Sequence, residues 1–309
     1  MDLFSDILTL ANAQSVITGT FEAGGAWAIR FPPPDMIKFF GIVRGSCWLR
    51  VEGEGADRRL EPGDVFLLSA PRAFTLASDR ELEPLDAVAV FRDQPGLVAR
   101  IGEGDAFQLL GGHVELAAGS GDLLTAVLPP LLLARAGSPH AAMSHWVLAQ
   151  LIQERSAELP GARVASEQLA HLLFIHILRA HLDEAGQFPP GWLRAITDKH
   201  LAPALRLMHG EPGRAWQVGE LAKAAGMSRT TFATRFRTAA GVPPLTYLTA
   251  WRMRLARRAL LEGSTPVSTI AYSLGYTSES AFSHAFKRTT GLAPKRLRGP
   301  RVYQEIQPS

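Results

Sequence analysis

Residues 270–286 read IAYSLGYTSESAFSHAF, and this stretch decides the fold of the C-terminal part of the chain. Ala271 is small enough to let one helix approach another, and Gly275 supplies the positive φ at which a helix ends. Ser278 can cap a new helix, on which two phenylalanines four residues apart share one buried face. The stretch therefore predicts two short helices joined by a tight turn.

The same pattern occurs a second time, about 50 residues earlier. The offset between the copies changes from 49 to 50 within the turn, where a difference of one residue in length is tolerated. The repeat predicts two helix-turn-helix units, at residues 216–240 and 266–290. The matched pairs are Ala222 and Ala271, Gly226 and Gly275, Phe232 and Phe282, Phe236 and Phe286, Gly241 and Gly291, and Pro244 and Pro294.

A single helix is predicted at residues 245–261, between the two units. Its apolar face carries Trp251, and its other positions include four arginines. At 1.5 Å per residue this helix spans about 25 Å. Successive major grooves lie roughly 34–36 Å apart, so we expect some bending of DNA that binds both units.

The C-terminal part of the chain, about residues 193–298, resembles the AraC/XylS family of bacterial transcription regulators. The resemblance depends on the strings GMSR at 226–229, WRM at 251–253 and the residues 270–288. It implies that both second helices enter the major groove of double-stranded promoter DNA. It also implies control of transcription, as an activator or a repressor, with RNA polymerase as a candidate partner.

The resemblance also assigns DNA contacts by position. Family members commonly have Arg where this chain has Thr234 and His284, and only Arg can read guanine through two well-placed hydrogen bonds. The sequence preference should therefore differ from that of the commoner members. Predicted base contacts are Thr230, Ala233, Thr234, Glu279, Ser280, Ala281 and His284, and the predicted DNA-binding set is completed by Arg229, Arg235, Arg237, Arg252, Lys287 and Arg288.

The charge of the chain divides at the sequence FPPG, residues 188–191. The whole chain has a formal charge of +3. Residues 1–190 contain 14 Lys and Arg against 23 Asp and Glu, a net charge of −9, and residues 191–309 contain 18 against 6, a net charge of +12. This asymmetry indicates two parts of opposite charge, of which the basic part is expected to bind a polyanion.

The acidic part is predicted to be rich in β-structure over residues 20–117, because short apolar runs alternate with Gly and Pro turns. One of these predicted strands is Leu85–Phe91. The part resembles the cupin-type sensor domains found in many such regulators, on GxCWL at 45–49 and LxPGD at 60–64. The predicted fold is multidomain α+β, with an N-terminal cupin-like β-barrel, a helical dimerisation pair and a C-terminal all-α domain with two helix-turn-helix units.

The predicted domains are a sensor at 1–120, a helical dimerisation segment at 121–187, a linker at 188–192 and a DNA-binding domain at 193–309. Two helices, at 142–158 and 163–183, are predicted to form a homodimer. The second is apolar on more than one face, which is also compatible with simple core burial. An unknown small-molecule effector is expected in the sensor, and the candidate pocket residues, which could equally be core, are Trp27, Cys47, Trp48, Phe66, Phe74 and His113.

The sequence leaves two other function classes to compare with this one. A metal-dependent cupin enzyme needs several converging imidazole or carboxylate ligands, and residues 38–80 contain no histidine. We therefore expect no metal, no cofactor and no catalytic activity. A non-specific architectural DNA binder remains the other alternative. No apolar run reaches the ~18–20 residues of a membrane span and the N-terminus lacks a signal peptide's positive charge, so a cytoplasmic protein without membrane contact is expected.

Overall fold

The structure is a computed structural model that describes residues 2–92, 94, 96, 98–116, 122–125, 127–138, 141–157, 159–184 and 188–297. The described residues form two compact units. Residues 11–184 form one, called here the β unit, and residues 2–10 with 188–297 form the other, called the helical unit. This division differs from the predicted domains in the first ten residues, whose apolar side chains Leu3, Ile7 and Leu10 are buried.

Among the described residues, the β unit contains the predicted β-structure, together with four helices. Its helices are α2 (Ala87–Phe91), α3 (Asp122–Thr125), α4 (Ala141–Ala157) and α5 (Ala162–Glu184). Its strands are β1 (Gln14–Ala23), β2 (Ala28–Phe31), β3 (Ile37–Arg44), β4 (Cys47–Val51), β5 (Arg58–Leu60), β6 (Val65–Leu68), β7 (Phe74–Ala77), β8 (Leu85–Asp86), β9 (Val98–Ile101), β10 (Phe107–Glu115) and β11 (Leu131–Ala134).

These strands form two sheets, in the orders β11-β6-β3-β10-β1-β9 and β5-β4-β7-β2-β8. Neighbours are antiparallel except for β1 with β9 and β2 with β8. Within the described residues the predicted barrel is not closed, since the edge strands of one sheet do not pair with those of the other. Short strands at regular spacing suit a closed barrel and a pair of open sheets equally well, because the spacing does not specify which distant edge strands pair.

The core of the β unit lies between the two sheets. Ile42 and Phe66 enter it from the six-stranded sheet, and Leu49 and Leu76 from the five-stranded sheet. The outer face of the six-stranded sheet is covered by α4 and α5. A Cβ on Gly41 of β3 would lie 2.3 Å from a methyl carbon of Leu148, so the Leu148 side chain of α4 packs directly against the backbone of this glycine.

The predicted strand Leu85–Phe91 is wrong beyond its second residue. The Asp86 carboxylate accepts hydrogen bonds from the amides of Val88 and Ala89, at 2.7 and 3.3 Å. This N-cap starts α2 in place of a longer strand. The apolar run alone could not distinguish the two outcomes.

The helical unit contains α1 (Leu3–Ala11), whose residues 3–10 belong to it, and eight helices after the unit boundary. No helix in the described part of the chain is both long and apolar enough to cross a membrane. The eight helices are α6 (Trp192–Thr197), α7 (Ala202–Gly210), α8 (Val218–Ala224), α9 (Arg229–Ala240), α10 (Pro244–Glu262), α11 (Val267–Ser273), α12 (Glu279–Thr290) and α13 (Pro294–Leu297).

Candidate nucleic-acid interface and ligand pocket

The turn between α8 and α9 has the same backbone pattern as the turn between α11 and α12. In the first, the Met227 amide donates to the Ala222 carbonyl at 2.9 Å, and in the second, the Tyr276 amide donates to the Ala271 carbonyl at 3.0 Å. The glycine before each donor has a positive φ, +66° in the first turn and +82° in the second. Both predicted helix-turn-helix units are therefore formed, and by the same local chemistry.

Each second helix begins at the predicted serine. Ser228 Oγ accepts from the Thr231 amide at 3.2 Å, and Ser278 Oγ accepts from the Ala281 amide at 3.1 Å. Both helices have 12 residues and end at a glycine in the left-handed conformation. The predicted N-caps are confirmed.

Two buried phenylalanines fix each second helix in the unit. The rings of Phe232 and Phe236 are fully buried with centroids 5.6 Å apart, and Phe282 and Phe286 repeat this separation. Because the anchors lie on one side of each helix, the opposite side is left facing solvent.

The solvent side of the two helices carries matched residues. In α9 the positions 230, 233, 234 and 237 lie on one face, and in α12 the positions 280, 284 and 287 do the same. Each face combines short polar residues with a basic residue near the helix C-terminus, Arg237 or Lys287. Most of the predicted base contacts are exposed: Thr230, Thr234, Ser280, Ala281 and His284 are exposed, and Ala233 and Glu279 are half-buried.

The predicted basic contacts fall into two groups. Arg229, Arg237, Lys287 and Arg288 are exposed, and no ion pair of theirs is found within the described ranges. Arg235 instead forms two hydrogen bonds with the Asp198 carboxylate, of 2.7 and 3.1 Å. The Arg235 guanidinium lowers the pKa of Asp198 below its usual range against the effect of burial.

Arg252 of α10 also has internal partners. Its guanidinium donates to the carbonyls of Pro212 and Arg214, the latter at 2.8 Å, and burial lowers its pKa from the ordinary value. Arg258 on the same helix pairs with Glu262 at 3.0 Å and donates to the Thr9 carbonyl at 3.3 Å. Arg252 and Arg258 therefore stabilise the unit through internal contacts, a role that their sequence pattern did not reveal.

Helix α10 has 19 residues, slightly more than predicted, and is thus about 28 Å long. Pro244 starts it, and Gly263 ends it in the left-handed conformation. Trp251, Met253 and Leu260 on its apolar side are buried. The helix is a rigid link between the two helix-turn-helix units.

A cavity of about 440 Å³ lies in the β unit, where both sheets contribute to its wall. Its apolar wall contains Phe21, Phe31, Phe40, Phe74, Phe91 and Leu109. The rings of Phe31 and Phe74 are stacked at 4.6 Å with an interplanar angle of 5°. The volume and the aromatic wall are typical of a small-molecule site.

Of the six predicted pocket residues, only Phe74 lines this cavity. Trp27, Cys47 and Phe66 are buried in the core beside it. Burial, with a smaller contribution from the Asp64 carboxylate, raises the pKa of the Cys47 thiol to about 12, which leaves the thiol protonated and unreactive at neutral pH.

The remaining two predicted pocket residues lie elsewhere. Trp48 alternates with core residues along β4 and is half-buried on the opposite face, where the Arg80 guanidinium lies 4.5 Å from its ring centroid. His113 lies on β10, with Nε2 at 3.3 Å from a Glu115 carboxylate oxygen. Alternation along β4 separates Trp48 from the core face, whereas His113 is on the same face of β10 as Leu109 and Gly111 of the cavity wall but lies outside that wall.

The polar residues of the cavity wall, among them Thr18 and Lys38, were not predicted. A bulge in β1 between Ile17 and Gly19 places Thr18 in the wall, where its hydroxyl donates to the Gly111 carbonyl at 3.1 Å. Lys38 of β3 also lines the cavity. It is the only lysine among residues 1–190, and this was the signal in the sequence that could have identified it.

Among the described residues, no group of three or more His, Cys, Asp or Glu side chains is placed to hold a metal ion. Asp64, which follows the Pro-Gly turn of the cupin-like string, has a structural role. It is buried, accepts from the Ala136 amide at 2.7 Å and pairs with Arg135 at 3.0 Å.

Comparison with known protein families gives two matches. Residues 2–183 match the family model described as Cupin, and residues 221–299 match the model described as Helix-turn-helix domain. The two matches cover the β-rich and helical parts of the chain in the order in which the fold presents them.

Several curated sequences and solved structures are similar to the chain. A protein of Streptomyces antibioticus, described as an AraC-like transcription regulator, is 43% identical over 95% of this chain and 97% of its own length. The HTH-type transcriptional regulator AlkR of Acinetobacter baylyi is 30% identical over 89% of this chain and 91% of its own. The crystal structure of the AdpA DNA-binding domain with a target DNA is 32% identical, covers 31% of this chain and 86% of its own, and has a TM-score of 0.30.

Proposed function

Because the chain belongs to the AraC family of DNA-binding transcription regulators, we propose that it binds promoter DNA with α9 and α12 in successive major grooves. The observation that carries this proposal is the matched pair of solvent-facing surfaces on these helices. Each surface lies opposite two buried phenylalanines and combines short polar side chains with an unpaired basic residue.

The residues of these surfaces have different roles in the proposal. Short polar side chains can reach base edges and specify sequence, whereas Lys and Arg bind phosphates and supply salt-sensitive affinity. Thr230, Thr234, Ser280 and His284 are the proposed base-reading residues. Arg229, Arg237, Lys287 and Arg288 are the proposed phosphate contacts. Arg235 and Arg252 have smaller proposed roles, since their guanidinium groups already have internal partners.

Selection of bound genomic fragments by the purified full-length protein tests sequence-specific binding. We expect enrichment of a promoter site that binds at least about 10³-fold more tightly than random DNA at physiological salt. Equal affinity for enriched and random fragments would instead identify an architectural DNA binder and overturn the proposal.

The dimer is proposed to form through α4. The apolar residues of α5 that were predicted for this role, among them Leu173, Phe174 and Ile177, are buried within the β unit. On α4, however, Met143 and Trp146 lie three residues apart, and 44% and 51% of their surface is exposed. A partly exposed tryptophan beside a methionine is typical of the centre of a protein interface, and a second copy of this chain is the proposed occupant.

The cavity of the β unit is proposed to bind a small-molecule effector without transforming it. A ligand can change DNA binding only if its affinity differs between the DNA-competent and DNA-incompetent states. The aromatic wall and the 440 Å³ volume support this role. The affinity for the enriched fragment should therefore change when a cavity ligand is added, and an unchanged affinity at saturating ligand would contradict regulation through this cavity.

A further inference from the structure

Lys38 has a position that is unusual for a lysine. Along β3, Lys38 lies two and four residues before Phe40 and Ile42, and both of these point into the core between the sheets. The residues between them face the other way, as the contact of Gly41 with α4 demonstrates. Since side chains alternate along a strand, Lys38 points to the inner side, where it lines the cavity.

The ammonium group of Lys38 has no carboxylate within ion-pair distance in the part of the chain that the structure describes. The other charged residue of the cavity wall, Asp35, is exposed and does not form an ion pair with it. Burial of a charged group without a partner is costly. A half-buried lysine facing an apolar cavity is therefore a position where an anion would be stabilised.

His113 adds a second polar group beside Lys38. The two residues are directly opposite each other in the β3–β10 register, so their side chains lie on the same face with Cβ atoms roughly 5 Å apart. The His113 side chain is 15% exposed, and its Nδ1 is buried without a hydrogen-bond partner among the described residues. Because a carboxylate only accepts, Nε2 donates to Glu115, and Nδ1 of the neutral ring then has no hydrogen to donate, so Lys38 is the donor at this end of the cavity.

The rest of the cavity wall is mainly apolar, with five phenylalanine rings and Leu109. Its other polar residues are Thr18, which already donates its hydroxyl hydrogen to a backbone carbonyl, Gln94, whose side-chain amide bonds to the backbone of Val90 and Arg100, Thr20 and Asp35. Such a wall favours a ligand with an apolar body and one charged group at the Lys38 end. A dianion such as a phosphate monoester would need several more donors than this end provides.

We infer that the cavity binds a monocarboxylate with an aromatic or alkyl body, whose carboxylate is held by Lys38 with His113 beside it. This inference rests on the proposed effector role of the cavity and adds the chemical class of the effector. The ammonium of Lys38 donates to a carboxylate oxygen, and the apolar body contacts the rings of Phe31, Phe40 and Phe74.

Matched acids and amides test the inference on the full-length protein. Phenylacetate and hexanoate are compared by calorimetry with phenylacetamide and hexanamide, which have the same bodies without the charge. We expect each acid to bind at least about tenfold more tightly than its amide, because a charge-assisted hydrogen bond is stronger than a neutral one. Lys38→Met should reduce the ratio to about one, and Lys38→Arg should retain it.

Arg44→Met is the matched control, since Arg44 lies on the same strand but is exposed and pairs with Asp105 at 2.8 Å. It should leave the acid-to-amide ratio unchanged.

A second readout comes from reductive ¹³C-methylation, because Lys38 is one of only five lysines in the chain. Phenylacetate should shift the one dimethyl-lysine signal that is lost in Lys38→Arg.

The outcomes separate this inference from the proposed function. If acids and amides bind alike, or if Lys38→Met keeps the preference for acids, the carboxylate assignment is overturned while the cavity remains a ligand site. If no probe binds at millimolar concentration and the lysine signal does not move, the inference is overturned. Promoter selection by the same preparation is independent of these results and tests the regulator function separately.

Discussion

The main chains of Gly213 and Gly275 approach each other so closely that neither position has room for a side chain. A Cβ on Gly275 would lie 2.1 Å from the Gly213 carbonyl oxygen, and a Cβ on Gly213 would lie 2.2 Å from the Ser273 carbonyl oxygen. Gly275 is the turn glycine of the second helix-turn-helix unit. The loop after α7 is thereby packed directly against that turn.

The close approach of Gly213 and Gly275 predicts that Gly→Ala lowers the free energy of unfolding by different amounts in the two helix-turn-helix turns. Gly226 has a positive φ but no neighbour within 4 Å of an added Cβ. Gly226→Ala should therefore lower the free energy of unfolding by the backbone strain alone, about 1 kcal/mol. Gly275→Ala adds a steric clash and should cost about 3 kcal/mol or more. Urea denaturation of the two variants measures the difference, and equal costs would contradict the close approach.

Lys287→Ala is predicted to weaken DNA binding without changing its sequence preference. Lys287 is exposed on α12, so its loss should remove one phosphate contact and reduce the slope of log affinity against log salt by about one. The measurement is a salt titration with the selected fragment and with random DNA. A loss confined to the selected fragment would indicate a base contact instead.

Arg252→Ala should behave differently, although the sequence places Arg252 in the same DNA-binding set. Its guanidinium donates to the carbonyls of Pro212 and Arg214, so the variant leaves these acceptors unpaired. We expect a fall in the free energy of unfolding of roughly 1–2 kcal/mol, allowing for its half-exposed position, and an unchanged salt slope. A reduced slope with unchanged stability would restore the phosphate role.

His284→Arg is predicted to change the base preference of α12. His284 is exposed on the solvent-facing side of the helix, four residues after Ser280. An arginine there could form two hydrogen bonds with guanine, which is worth about 1–3 kcal/mol of discrimination. Fragment selection with the variant should therefore enrich guanine at one position of the half-site. Thr289→Arg, which adds the same charge at another exposed position of α12, is the control and should leave the preference unchanged.

Local chemistry explains why the helix-turn-helix units could be predicted so closely from sequence. A serine cap, a turn glycine and two phenylalanines four apart act within about 15 residues, and two copies confirm each other. The partners of Arg252 could not be predicted in this way, since Pro212 and Arg214 lie some 40 residues away. Arginines on a helix face have the same sequence pattern whether they bind phosphate or a distant carbonyl.

The wall residues of the cavity in the β unit also could not be predicted from the sequence pattern of the strands. Aromatic residues were candidates for its wall, but only Phe74 of the predicted set lies there. Trp27 and Phe66 face the same core and lie beside the cavity, whereas Trp48 is on the opposite face of its strand. The bulge at Thr18 shifts the register of β1 by one residue and changes which side chains point inward. A bulge depends on pairing with a strand about 90 residues away, and the apolar pattern does not contain that information.

Trp146→Glu is predicted to convert a dimer into a monomer. The indole is half exposed beside Met143, and a charge at the centre of an apolar interface would be buried without a partner. Sedimentation of the full-length protein at micromolar concentration measures the change. Val88→Glu introduces the same charge at a 55% exposed apolar residue of α2 and should leave the dimer intact. A monomeric unmodified protein would contradict the proposed interface.

His209 is predicted to make folding sensitive to mild acid. Its ring is stacked on Trp251 at 3.8 Å, and its Nε2 lies 2.9 Å from the Tyr247 hydroxyl. Burial, with a smaller contribution from the positive charge of Arg254, lowers its pKa to about 4. The Asp6 carboxylate lies 3.5 Å from its Nδ1 and does not reverse this shift.

The sign of the effect follows from where the proton binds. Between pH 6.5 and 4 the unfolded chain protonates this histidine and the folded chain does not, so stability falls as the pH falls. From pH 7 to pH 5 the loss should be about 2 kcal/mol. The raised pKa of Asp6, caused mainly by burial, acts in the opposite direction and offsets part of this loss of stability.

Urea denaturation at pH 7 and pH 5 should show the loss of stability in the unmodified protein and in His284→Gln, whose histidine is exposed. In His209→Gln the loss should be smaller by about the same 2 kcal/mol, and an undiminished loss would show that another group is responsible.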